Sequence, residues 1–295
     1  MSRDRTFVAT LLLLALSQGA SYLFIRVAVR ELSPPALMEV RLLFATPVLL
    51  ALCAARGELR QVRAAWRDGL VLGVLGAAVP FTLVGWGERH VDSGITAVAN
   101  ASVPIFVAVI ATKMLPSERA TGLRLVGVLL GFAGVGLLAG LHPAGGWWGA
   151  AGTLAVVAAA PSYALASLYA QRRSDVSGIV LATAGLVGAT IVLLPFALAT
   201  LPPRAPESKT LALAAALGLV STALPHALYY WLISAHGASR SVLITYLTPV
   251  FALGLGAWFL GEEATTPKLA GLALIVAGVA LGAGFGRAPR AAARA

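Results

Sequence analysis

Ten apolar segments, each long enough to cross a lipid bilayer, make up most of this chain. About 20 apolar residues are needed to span the ~30 Å hydrocarbon core of a membrane. The segments lie at 7–28, 35–55, 69–87, 93–113, 121–140, 147–169, 177–200, 210–233, 240–260 and 266–286. Charged residues are only 12% of the chain, against about 25% in a soluble domain. The sequence therefore predicts an all-α integral membrane protein with ten transmembrane helices.

The second half of the chain repeats the first at an offset of 145 residues. Pro80 returns as Pro225, and Pro104 returns as Pro249. Five segments, an odd number, separate each residue from its counterpart. The second copy must therefore cross the membrane in the opposite direction to the first.

The repeat divides the chain into two inverted five-helix halves, at residues 7–140 and 147–286. Their first segments match only weakly, with residues 21–22 opposite residues 162–163. Residues 287–295 form a basic tail. Membrane proteins built from two inverted halves around a central cavity are typically secondary transporters. The repeat therefore predicts transport by alternating access.

The basic residues indicate the orientation of the chain rather than a nucleic-acid site. The net charge is +10. Lys and Arg are concentrated in the connectors that lie on the same side of the membrane as the N-terminus, and the positive-inside rule assigns this side to the cytoplasm. The connector 56–68 has four arginines, whereas its counterpart 201–209 has one Arg and one Lys. We therefore expect both termini in the cytoplasm, and a retained first helix rather than a cleaved signal peptide.

Prolines inside the segments mark the expected substrate site. Proline lacks an N–H group and frees the carbonyl four residues earlier, which in lipid must face protein or water. Pro104 frees the carbonyl of Asn100, and Pro80, Pro225 and Pro249 are expected to break their helices in the same way. Interruptions at corresponding positions of two halves are the best sequence indication of a midplane site.

Polar and aromatic side chains are expected to line this site. Thr222, His226 and Tyr230 follow one another at i+4 steps, on one face of a helix. The predicted set is Ser17, Gln18, Thr96, Asn100, Ser162, Tyr163, Thr222, His226, Tyr230 and Thr245. Such a site would be neutral and rich in hydroxyl groups, which favours a small polar or zwitterionic substrate. The alternative for each Ser and Thr is a structural hydrogen bond to a backbone carbonyl or a neighbouring helix.

Charged residues near the ends of the segments have structural and functional interpretations. Glu39 and Arg41 are expected within reach of Arg26 or Arg30. They would form either a structural ion pair near the interface or an external gate that breaks as the cavity turns inward. Glu262 is expected to cap the helix of the last segment, where a carboxylate favours the helix dipole.

Three sequence stretches resemble EamA-type members of the drug/metabolite transporter superfamily. They are SQGASYLFIRVA at 17–28, EVRLLFA at 39–45 and LGEEATTPKLAGLALIVAGVAL at 260–281. The resemblance implies a bacterial inner-membrane transporter, often an exporter of amino acids or other small metabolites. It also implies that segments 1, 3, 4, 6, 8 and 9 surround the cavity. The first half departs from the family's glycine-glutamate pair, because Ser117 precedes Glu118.

Other functions remain open on the same sequence: a flippase for lipids or lipid-linked intermediates, a metabolite importer, or a membrane enzyme. An enzyme would need clustered carboxylates or histidines to hold a metal or activate a nucleophile, whereas the four histidines are dispersed. We expect no catalytic residue, metal or cofactor. The expected partners are a small-molecule substrate and the lipid bilayer, without nucleic acid, and the protein is expected to be a monomer or a homodimer.

Overall fold

Helices account for the regular structure of this computed structural model, which describes residues 2–114, 123–140, 146–173, 175–229 and 244–282. No β-strand occurs in these ranges. Seven helices there are long and apolar enough to cross a membrane: Arg5–Ala28, Pro34–Ala55, Trp66–Gly87, Ser93–Ala111, Gly146–Arg172, Gly178–Ala199 and Ser208–Tyr229. Shorter apolar helices lie at Leu125–Gly134, Leu247–Leu260 and Thr266–Gly278, within the other three predicted segments. The prediction of an all-helical, multi-pass membrane protein is confirmed.

Thirteen α-helices have defined bounds in the described residues. They are α1 (Ser2–Ala28), α2 (Pro34–Ala55), α3 (Leu59–Ala64), α4 (Trp66–Gly73), α5 (Val79–Gly87), α6 (Ser93–Asn100), α7 (Val103–Met114), α8 (Leu123–Gly140), α9 (Gly146–Arg172), α10 (Gly178–Ala199), α11 (Ser208–Gly218), α12 (Ile244–Leu260) and α13 (Thr266–Gly282). Residues 224–229 continue the helix of α11 beyond a π-helical turn. Ser33 starts α2 by accepting a hydrogen bond from the Ala36 amide, and Pro34 occupies the first turn, where its missing N–H costs nothing. The tail at 287–295 lies outside the described residues.

Two transmembrane helices contain a single π-helical turn at equivalent positions. The turns are Val74–Ala78, between α4 and α5, and Leu219–Ala223, after α11. Pro80 and Pro225 each follow two residues after their turn. A π-turn shifts the hydrogen-bond ladder by one residue and is frequent at functional sites. Each helix is wider at its π-turn and continues past its proline.

Each π-turn is stabilised by a serine from the opposite half of the chain. The Ser162 hydroxyl donates to the carbonyl of Leu75 at 2.7 Å, and the Ser17 hydroxyl donates to the carbonyl of Val220. The offset of 145 residues relates both the two serines and the two carbonyls. The structure therefore aligns Ser17 with Ser162, which corrects the weaker pairing of residues 21–22 with 162–163.

Pro104 and Pro249 differ in their effect on the helix. At Pro104 the helix is interrupted, because α6 ends at Asn100 and α7 begins at Val103. In the gap, the Ser102 hydroxyl donates to the Ala99 carbonyl at 2.6 Å, a local bond that competes with the helix. Pro249 lies inside an unbroken α12.

Glycines allow two pairs of helices to pack with their backbones almost in contact. Where α4 meets α10, a Cβ atom built on Gly188 would overlap the carbonyl oxygen of Gly69. Where α8 meets α13, a Cβ atom on Gly278 would lie 2.5 Å from the carbonyl oxygen of Gly127. Lipid provides no hydrophobic driving force between helices, so van der Waals packing at small residues stabilises such crossings.

Candidate substrate cavity

A cavity of about 510 Å³ lies between the halves of the chain. It is lined by α1, the helices around both π-turns, α6 and α7, α9 and α12, together with one residue of α2. Its main polar residues, which define the central cavity below, are Gln18, Tyr22, Arg41, Asn100, Tyr163 and His226. Pockets of 300–1,000 Å³ are typical for small-molecule ligands.

Part of the predicted site lines the central cavity. These residues are Gln18, Asn100, Tyr163, His226, Pro104, Pro225 and Pro249. They come from segments 1, 4, 6, 8 and 9, and Phe81 and Val84 add the third segment. The cavity is therefore surrounded by the segments that the family resemblance implies.

Four predicted hydroxyl residues do not line the central cavity. Ser17 and Ser162 bind the π-turns, and the Thr96 hydroxyl donates to the Asp92 carbonyl at 3.2 Å. The Thr222 hydroxyl donates to the Leu217 carbonyl at 2.8 Å. These hydroxyls satisfy backbone groups, as the structural alternative for Ser and Thr expects.

Two predicted residues cannot be placed at the cavity, and one proline lies away from it. Tyr230 and the side chain of Thr245 are outside the described part of the chain. Pro80 is buried in the first turn of α5 and does not line the central cavity.

Asn100 and His226 present their polar groups differently. The Asn100 Nδ2 atom donates to the Tyr22 hydroxyl oxygen at 2.9 Å, while its buried Oδ1 atom has no partner among the described residues. The Nδ1 atom of His226 lies 2.7 Å from the Thr222 carbonyl oxygen, which places the proton on Nδ1, because a carbonyl only accepts. Asn100 Oδ1 is therefore a buried acceptor at the cavity that no described residue uses.

Arg41 lies in the central cavity, and not in the ion pair considered from the sequence. Its Nε atom donates to the Thr222 hydroxyl oxygen at 2.6 Å, and its guanidinium carbon lies 3.9 Å from the centre of the Phe81 ring. Glu39 is 3% exposed, and neither of its carboxylate oxygens has a partner among the described residues. The structure therefore does not pair Glu39 with Arg41, and Arg41 gives the cavity a positive charge.

A charged cluster of Arg26, Asp92, Glu262 and Lys268 lies where α1 ends and α6 and α13 begin. The Lys268 Nζ atom is 2.6 Å from Asp92 Oδ2, and an Arg26 Nη2 atom is 4.0 Å from Asp92 Oδ1. A second cavity of about 550 Å³ adjoins the cluster. These contacts could not be predicted from the sequence, because the residues that form them are far apart along the chain.

Glu262 caps α6, and not the helix that follows it. Its carboxylate accepts hydrogen bonds from the Ser93 amide at 2.9 Å, the Ser93 hydroxyl at 2.9 Å and the Gly94 amide at 3.1 Å. Free amides and a positive dipole at a helix N-terminus favour a carboxylate there. The principle behind the expected cap was right, but the helix assigned to it was wrong.

Glu88 is a buried acidic residue between the charged cluster and the central cavity. It directly follows α5, is 0% exposed, and has no partner for either carboxylate oxygen in the described structure. Burial raises the pKa of the Glu88 carboxyl well above its usual range, and Arg26 opposes this shift. The buried carboxyl therefore favours its neutral form.

Comparisons with known proteins give a consistent assignment. A solved crystal structure superposes with a TM-score of 0.66, covering 94% of this chain and 96% of its own at 20% identity. An uncharacterized transporter of Archaeoglobus fulgidus is 27% identical over 88% of this chain and 92% of its own length. The uncharacterized inner membrane transporter YedA of Escherichia coli is 27% identical over 89% of this chain and 86% of its own length.

The sequence profile of a single family covers nearly the whole chain in two matches. The EamA-like transporter family matches residues 6–140 and again residues 150–283. Each match contributes residues to the central cavity, and the gap between the matches, residues 141–149, contains the start of α9. The chain therefore belongs to the EamA-like transporter family.

Proposed function

We propose that this protein is a secondary transporter of small polar or zwitterionic metabolites, in which two inverted halves alternately expose the central cavity to each side of the membrane. The observation that carries the proposal is the composition of the cavity wall. Gln18 and Asn100 come from the first family match, and Tyr163 and His226 come from the second. Movement of one half against the other would therefore open the cavity itself.

The direction proposed is export of an amino-acid-like substrate across a bacterial inner membrane, with both termini in the cytoplasm. The relative YedA is an inner membrane transporter, and the distribution of basic residues supports the orientation. In this orientation the charged cluster lies on the external side, because α1 starts at the cytoplasmic N-terminus and ends beside the cluster.

The cluster closes that side of the central cavity by joining the two halves. Asp92 and Ser93 belong to the first family match, whereas Glu262 and Lys268 belong to the second. These contacts must separate for the external side to open. The proposed cycle therefore assigns this structure to the state that is closed on the external side.

Replacing Asn100 or His226 with alanine is expected to lower transport at least tenfold, because each change removes a polar group from the cavity wall. Purified variants are compared in proteoliposomes that are loaded with a panel of radiolabelled amino acids. Gln61→Ala, an amide in an exposed connector, is the matched control and should retain full activity. Unchanged transport rate and affinity in both cavity variants would contradict the proposed site.

Single-cysteine labelling tests the inverted topology. The background is Cys53→Ser, because Cys53 is the only cysteine and its buried thiol lies 3.2 Å from the Thr183 hydroxyl, which serine can also bind. Cysteines replace the exposed residues Gln61 and Ala205, which occupy equivalent connectors. We expect an impermeant maleimide to label Gln61→Cys only from the cytoplasmic side and Ala205→Cys only from the other. Labelling of both from one face would exclude the inverted repeat.

A further inference from the structure

Arg41 lies in a transmembrane helix, and no carboxylate of the described residues pairs with it. Its side chain is 7% exposed and lines the central cavity. A guanidinium group has five N–H donors and stays charged in proteins. The described contacts use only Nε, which donates to Thr222, and Nη1, which lies 3.9 Å from the weak acceptor Met38 Sδ. Donors of Arg41 therefore remain available on the cavity side.

The surrounding acidic residues do not neutralise this charge. No carboxylate oxygen of the described residues lies within 4.0 Å of the Arg41 nitrogens. Glu39 precedes Arg41 by two residues, and residues with this spacing do not face each other on a helix. The nearby Glu88 carboxyl favours its neutral form, as its raised pKa indicates. Charged groups in a membrane are costly and normally meet a partner or serve the transported species.

The side chains around Arg41 fix its position for a ligand. The Phe81 ring covers the guanidinium at 3.9 Å, and Thr222 holds Nε at 2.6 Å. Thr222 is itself anchored to the Leu217 carbonyl at 2.8 Å. Planar arginine groups that are stacked on a ring and anchored at Nε can present two parallel donors to a carboxylate.

We propose that Arg41 is the anion subsite of the central cavity, and that the transported substrates are small organic acids whose carboxylate binds this guanidinium. The proposal rests on the proposed transport function and specifies its substrate class. The unpartnered Oδ1 atom of Asn100 lines the same cavity and accepts a hydrogen bond from a hydroxyl or ammonium group of the acid. The carboxylate is thus required, whereas the ammonium group is exchangeable for a hydroxyl group.

Binding to the purified full-length protein tests this substrate class directly. The probes are the twenty proteinogenic amino acids, their 2-hydroxy acid analogues, their amides and the corresponding decarboxylated amines. Binding is measured as ligand-induced thermal stabilisation in detergent, which any ligand of the folded state produces. We expect at least one amino acid and its hydroxy acid analogue to bind, and the matching amide and amine to bind at least tenfold more weakly. Equal binding of an amide or amine, or no binding by any acid, would overturn the proposal.

Variants of Arg41 provide the second arm of the test. Arg41→Gln should weaken binding of the acid at least tenfold, and Arg41→Lys should recover part of it, because lysine keeps the charge but not the paired donors. Arg204→Gln, in an exposed connector, is the matched control for loss of one arginine. Acid binding that survives Arg41→Gln would also overturn the proposal. If that variant does not fold, the comparison of acids with amides in the unmodified protein still tests the proposal.

Transport assays separate failure of this inference from failure of the proposed function. If proteoliposomes transport amines or neutral compounds as well as acids, the anion subsite is excluded while the transporter proposal stands. If purified protein binds acids through Arg41 but moves no compound in either direction, the anion subsite stands and the transporter proposal fails.

Discussion

Gly188→Ala is expected to be among the most destabilising single changes in this protein. A Cβ atom on Gly188 would overlap the Gly69 carbonyl oxygen and would lie 2.6 Å from the Gly69 carbonyl carbon. Both atoms belong to the backbone of α4, so no side-chain rotation relieves the clash. Overpacking of this kind costs about 1–3 kcal/mol. The loss is measured as a lower midpoint of thermal unfolding in detergent, followed by fluorescence-detected size-exclusion chromatography.

Gly254→Ala is the matched control for this change. Gly254 lies inside α12, and a Cβ atom built there meets nothing within 4 Å. Alanine is favoured over glycine in a helix by up to about 1 kcal/mol, so the control should unfold at the same temperature as the unmodified protein or slightly above it. If Gly188→Ala were as stable as Gly254→Ala, the close crossing of α4 and α10 would be wrong.

The sequence was sufficient to predict an all-helical membrane protein and several of the residues that line the central cavity. Apolar length determines which segments cross the bilayer, because lipid leaves the backbone no partner except itself. Proline positions depend on the same hydrogen bonds, which is why Pro104 and Pro225 marked helices that line the central cavity. Both properties are local, so no tertiary information was needed.

The residues that the sequence misassigned depend on contacts between distant helices. A proline in the sequence indicates that a carbonyl needs a donor, but it does not show which hydroxyl supplies it. Ser17 and Ser162 therefore looked like substrate ligands, whereas they bind Val220 and Leu75. Arg41 was considered for the external gate because it lies near the start of its helix. This position gives the depth of a residue in the membrane, but it does not give the direction of the side chain.

Glu262→Ala is expected to release the external closure of the transporter by removing the contact between Glu262 and α6. The carboxylate accepts three hydrogen bonds, from the Ser93 amide and hydroxyl and from the Gly94 amide. Hydrogen bonds to a charged group contribute about 1.5–3 kcal/mol each. Water can replace them once the external side is open, so the change destabilises mainly the closed state. A net loss of about 2 kcal/mol would shift the equilibrium toward the open state roughly 30-fold.

The shift is measured through a cysteine in the wall of the central cavity. Ala97 lines the cavity one turn after Ser93, so Ala97→Cys in the Cys53→Ser background reports access from the side of the charged cluster. An impermeant maleimide should label it roughly 30-fold faster in Glu262→Ala, and only in right-side-out vesicles. Glu263→Ala is the matched control, because this neighbouring side chain is exposed and its carboxylate makes no hydrogen bond or ion pair with the described residues. Equal labelling rates in the two variants would show that Glu262 does not hold the external side closed.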